Sequence, residues 1–109
     1  PVARDAPQRH GVDPVWYWQP TRYARPPIDG EPSPGDDLAA FRRQAFATAR
    51  TGLPADVVDL TDIFTVADGP LFFDDSHSNE TAARLTGEAM WRDLAPRLDL
   101  GPLAPTAGP

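Results

Sequence analysis

Twenty-two of the 109 residues are proline or glycine, against roughly one in eight in ordinary globular chains. Such a density of breakers decides where regular structure can form. Between 21 and 35 the chain carries Pro26, Pro27, Gly30, Pro32, Pro34 and Gly35, which forbids a helix or strand and leaves a long loop. Residues 1–14 are polar and proline-punctuated, without a period of 2 or 3.6, and read as an irregular segment, a loop or the remnant of a lost helix. Residues 99–109, with three Pro and two Gly, are expected to be a disordered tail. What remains, 15–98, must hold any core.

That core is possible, because 40% of the residues are hydrophobic and they include three Trp and five Phe. The length allows one small domain at most. Sixteen acids oppose ten bases, all arginine, for a formal charge of −6, which repels phosphate backbones and argues against nucleic acid as a partner. There is no cysteine, so disulfides, thiolate zinc sites and cysteine nucleophiles are all excluded, while the compartment stays open. No apolar run approaches the roughly 20 residues of a membrane span, and no signal-peptide core is present near the first residues. The chain opens on Pro rather than Met, as expected of an excised or processed piece.

Four elements fit between the breakers. Val15, Trp16, Tyr17, Trp18 and Gln19, closed by Pro20, form a β-branched and aromatic run suited to a strand covered on both faces, with the aromatics read as sheet core ahead of a platform for stacking sugar rings or bases. Asp36 and Asp37 precede Leu38, Phe41, Ala45, Phe46 and Ala49 at helical spacing, and Arg42, Arg43 and Arg50 follow. This predicts an amphipathic helix from Asp36 to Thr51, stopped by Gly52 and Pro54. Val57, Val58, Asp59 and Leu60 read as a second strand. Ala83, Gly87, Met90, Trp91, Leu94 and Leu98 trace the apolar stripe of a last helix, capped by Ser78 or Asn79 and kinked or ended near Ala95 by Pro96. Strand, helix, strand suggests a parallel crossover and an α/β class.

The one dense cluster of reactive side chains is Asp74, Asp75, Ser76 and His77, just before that last helix. A carboxylate three residues ahead of a histidine can curl back in a tight turn and accept a hydrogen bond from Nδ1–H. The tautomer is then fixed and Nε2 is left free as a base. Alone, these four residues are read more readily as turn acids beside a surface histidine, so the flanking segments matter.

The run from Leu71 through Phe72, Phe73, Asp74, Asp75, Ser76, His77, Ser78, Asn79 and Glu80, followed by an amphipathic helix, resembles the C-terminal block of SGNH (GDSL-type) hydrolases. In that family a D-x-x-H motif supplies the catalytic Asp and His. Gln19 and Pro20 after the first strand, and Val57 to Leu60 upstream of the motif, resemble further family segments, so the likeness covers about 15–98. The resemblance implies the C-terminal part of a three-layer α/β/α (flavodoxin-like) fold of parallel strands and amphipathic helices. It implies ester hydrolysis, with His77 as general base, Asp74 as its orienter, Asp75 and Ser76 as spacers, Asp75 being also able to compete for the histidine, and no metal or cofactor. Its substrates would be acyl esters, or acetylated small molecules or carbohydrates.

The chain departs from the family pattern in two ways. Ala82 stands five residues after His77 where many members carry Gly. No Gly-Asp-Ser occurs, since Gly35 and Asp36 are followed by Asp37, so the nucleophile and oxyanion donors are expected in a remaining N-terminal part of the hydrolase domain. The rival reading is a non-catalytic interaction or structural fragment with a coincidental D-x-x-H. Among other candidates, His10 is expected to be exposed, and Arg22 and Arg25 are read as solvated loop charges or as lining a substrate mouth. The spacing of Asp59, Asp62, Asp68, Asp74, Asp75 and His77 matches no EF-hand or zinc pattern.

Overall fold

Regular elements form where the breakers thin out. The computed structural model describes residues 2–26, 28–32 and 35–98. Its elements are helix α1 (Val2–Arg9), strand β1 (Trp16–Trp18), a 3₁₀ turn at Arg22–Ala24, helix α2 (Asp36–Thr51), strand β2 (Val57–Asp59) and helix α3 (Glu80–Arg97). The expected tail, 99–109, lies outside the described residues.

Helix α1 corrects the irregular reading of 1–14. Pro7 lies inside it and has no N–H to donate, yet its carbonyl accepts from the N–H groups of His10 at 3.1 Å and Val12 at 2.9 Å. The Gln8 carbonyl takes the Gly11 N–H at 3.3 Å. Gly11, at φ 66°, adopts the left-handed conformation that this helix-ending pattern requires. The sequence hid the helix because eight residues are too few to show a period and Pro7 reads as a breaker. Arg4 docks α1 on the body, pairing with Asp56 at 2.7 Å and lying 5.2 Å from the centre of the Trp16 ring.

β1 and β2 pair in parallel, with Trp16 opposite Val57, Tyr17 opposite Val58 and Trp18 opposite Asp59. Parallel neighbours need a long crossover, and α2 lies within it. Its first turn carries Asp36 and Asp37 and its last turn Arg50, each favourable to the helix dipole. Gly35, at φ 94°, turns the chain into the helix and accepts the Ala39 N–H on its carbonyl at 3.0 Å. Arg50 then bridges α2 to the end of β2, meeting Asp59 and Asp62 at 2.6 Å each.

Two packing expectations need correction. The β1 aromatics are only half-buried, because the sheet they belong to is two-stranded and gives them little cover. The buried cluster is instead Phe64, Leu71, Phe72 and Ala82, with Ile63, Ala67 and Leu85 against it. Phe64 and Phe72 meet edge to face at 5.8 Å. This core joins the turn after β2 to the start of α3.

Most of the expected α3 stripe is not buried: Ala83, Gly87, Met90, Trp91 and Leu98 are exposed and Leu94 is half-buried, while Ala82 is buried and Leu85, Thr86, Ala89 and Asp93 are half-buried. The Tyr17 hydroxyl donates to Asp93 at 2.8 Å and ties β1 to α3. The helix continues through Pro96 to Arg97. On α2 no residue is buried, and Leu38 and Phe41 lie exposed. Among the described residues no helix is long and apolar enough to cross a membrane.

Candidate active site

The motif loop is closed at its neck. Phe72 and Ser78 form an antiparallel bridge, the Phe73 N–H donates to the His77 carbonyl at 2.8 Å, and the Asn79 N–H donates to the Leu71 carbonyl at 2.8 Å. Below the neck, Leu71 and Phe72 are sunk in the core. Asn79 completes the base: its Nδ2 donates to the Pro70 carbonyl at 2.7 Å and its Oδ1 caps α3 by accepting the Ala82 N–H at 3.0 Å. Of the two expected caps, Asn79 is the one that serves. Ala82, three residues beyond Asn79, is wholly buried at 0% exposure.

At the loop tip the chain curls as its sequence requires. Asp74 Oδ1 accepts the backbone N–H groups of Ser76 at 2.9 Å and His77 at 2.8 Å, an Asx-type turn. Asp74 Oδ2 lies 2.8 Å from His77 Nδ1. The Ser76 N–H, then the His77 N–H, then the imidazole hold the Asp74 carboxyl down at about 2. An ionised carboxylate only accepts, so the proton of a neutral His77 sits on Nδ1 and the Nε2 lone pair is free. Among the described residues, no hydrogen bond occupies Nε2. The imidazole is 77% exposed and the Asp74 carboxylate 55%, so the dyad faces outward.

Arginines hold this loop from behind. Arg22, expected as a solvated loop charge, is buried, and its Nη1 donates to the Asp74 carbonyl at 3.3 Å and lies 3.8 Å from Asp75 Oδ1. Arg42 Nη1 reaches Asp75 Oδ2 at 3.0 Å and the Tyr23 hydroxyl at 2.8 Å. The Tyr23 hydroxyl, and after it Asp75, raise the Arg42 guanidinium further above its ordinary range. Arg25 is likewise buried, paired with Glu31, and neither it nor Arg22 is a free charge. Asp75 therefore pairs with Arg42 and faces Arg22. Sequence reasoning missed this set, whose one visible signal is a second acid beside the first.

A cavity of about 240 Å³ adjoins the loop at the carboxyl end of β1, lined by Trp18, Gln19, Tyr23, Phe46, Phe72 and Ser76 among others. Open α/β sheets bind ligands at that end of their strands. Among the described residues, no group of three or more Asp, Glu or His side chains gathers where a metal ion would sit. Asp59 and Asp62 face Arg50 instead, and His10 is exposed. Comparisons with protein-family models, with curated proteins and with solved structures find no match to this chain.

Proposed function

We propose that this chain is the C-terminal part of an SGNH-type serine ester hydrolase, contributing His77 as general base and Asp74 as its orienter to a larger three-layer α/β/α (flavodoxin-like) domain. The observation that carries the reading is the 2.8 Å contact between Asp74 Oδ2 and His77 Nδ1, in a braced loop that leaves Nε2 free. In the reaction a serine hydroxyl attacks the acyl carbon while Nε2 takes its proton. The imidazolium is stabilised by Asp74 and returns the proton to the departing alkoxide, and water repeats the sequence to release the acid. The serine and the oxyanion donors come from the remaining N-terminal part of the domain, since no Gly-Asp-Ser occurs among these 109 residues. The substrate is an acyl ester, or an acetylated small molecule or carbohydrate.

Uncovered apolar surface supports the larger domain. Phe41 is 69% exposed, Phe73 68% and Leu98 51%, and a parallel sheet is ordinarily covered on both faces. The test is hydrolysis of a short acyl ester by a protein that includes this chain together with the remaining part of the domain. His77→Ala should reduce kcat at least about 10³-fold. Equal turnover would leave the motif a coincidence in a non-catalytic fragment.

A further inference from the structure

The Asp74–His77 turn contains a second carboxylate, Asp75, close enough in the chain to contest the histidine, and the fold commits a buried cation to it. Arg22 has a side chain only 5% exposed. A guanidinium removed from water needs acceptors, and those Arg22 finds are the Asp74 carbonyl at 3.3 Å and Asp75 Oδ1 at 3.8 Å. On the other Asp75 oxygen, Arg42 approaches from α2 at 3.0 Å. Tyr23 stands between the two arginines, its ring centre 5.8 Å from the Arg22 guanidinium and 5.7 Å from that of Arg42. Its ring stacks on Phe46 of α2 at 5.9 Å. An ordinary surface turn would leave Asp75 to water.

Resting on the hydrolase reading above, we propose that Arg22, Tyr23 and Arg42 form a positioning unit that keeps Asp75 from competing with Asp74 for His77. With Asp74 on Nδ1–H, an unpaired carboxylate that reached the other ring nitrogen would hold a second proton there and favour the imidazolium. That form has no lone pair where the serine proton must go. With both Asp75 oxygens facing guanidinium groups, Asp74 alone sets the tautomer. These three residues act through Asp75 and are not catalytic residues themselves.

The test uses Arg42, whose side chain is 34% exposed, so its loss is less disruptive to folding than loss of Arg22. In the protein containing this chain, Arg42→Ala should lower kcat about tenfold with KM within about twofold. The imidazole ¹⁵N spectrum of His77, assigned by its absence in His77→Gln, should then show a proton on Nε2 at a pH where the parent shows none. Adding Asp75→Asn to Arg42→Ala should bring back the single Nδ1–H tautomer and return kcat to within about threefold of the parent. Arg42→Lys, which keeps a cation beside Asp75, should stay within about threefold. A double variant as impaired as Arg42→Ala, or an Nε2 as free of protons in Arg42→Ala as in the parent, overturns the proposal. The spectrum reads the tautomer whether or not the protein hydrolyses esters, so failure of the hydrolase reading and failure of this one are separate results.

Discussion

One carboxylate, that of Asp74, holds His77 twice, by its backbone N–H at 2.8 Å and by its imidazole Nδ1 at 2.8 Å. The turn that shapes the loop and the bond that selects the tautomer are therefore one interaction set. The dyad is built within four consecutive residues, above a base that keeps the loop closed.

That economy has a pH signature. The Asp74 carboxyl is lowered from 3.8 to about 2, so the folded state favours its ionised form. The stability it contributes is fully present above the ordinary carboxylate range and is lost as pH falls through about 2. A carboxyl ¹³C titration should place the Asp74 midpoint near 2, and a midpoint near 3.8 would show that the turn is not formed.

Asn79 fixes the neck and starts α3 with opposite ends of one amide. Asn79→Ala should cost about 1–2 kcal/mol in denaturant unfolding, combining a lost cap with a lost hydrogen bond to Pro70. Asn79→Asp keeps the capping oxygen and should cost less. Equal losses in the two variants would contradict the division of labour.

Ala82 has no room to grow, being 0% exposed between Phe64, Leu71 and Phe72. Ala82→Leu should destabilise by roughly 1–3 kcal/mol through overpacking. Ala82→Gly should cost about 1 kcal/mol from helix propensity alone. Melting curves of the two variants check the order, and a neutral Leu variant would mean that α3 stands off the core.

Local signals were legible and long-range ones were not. The span of α2, the positions of β1 and β2 and the Asp74–His77 turn follow from breakers, spacing and turn chemistry within a few residues. Helix α1 escaped because its closing bonds run through a Pro7 carbonyl, which no propensity scale registers. The tie between β1 and α3 left no trace, because Tyr17 meets Asp93 across 76 positions by a hydrogen bond that no hydropathy pattern registers. The arginines behind the loop escaped for the same reason: Arg22 meets Asp74 across 52 positions and Arg42 meets Asp75 across 33. Partners that far apart leave no periodic trace.

The central claim is that His77 activates a serine, and covalent labelling by a fluorophosphonate tests it most directly. A fluorophosphonate reacts with a serine whose proton has a base to go to, forming the Ser–phosphorus bond and releasing fluoride. In the protein containing this chain and the remainder of its domain, mass spectrometry should find one labelled serine outside these 109 residues, and His77→Ala should abolish the adduct. No labelling of the parent protein, or labelling that survives His77→Ala undiminished, would contradict the account.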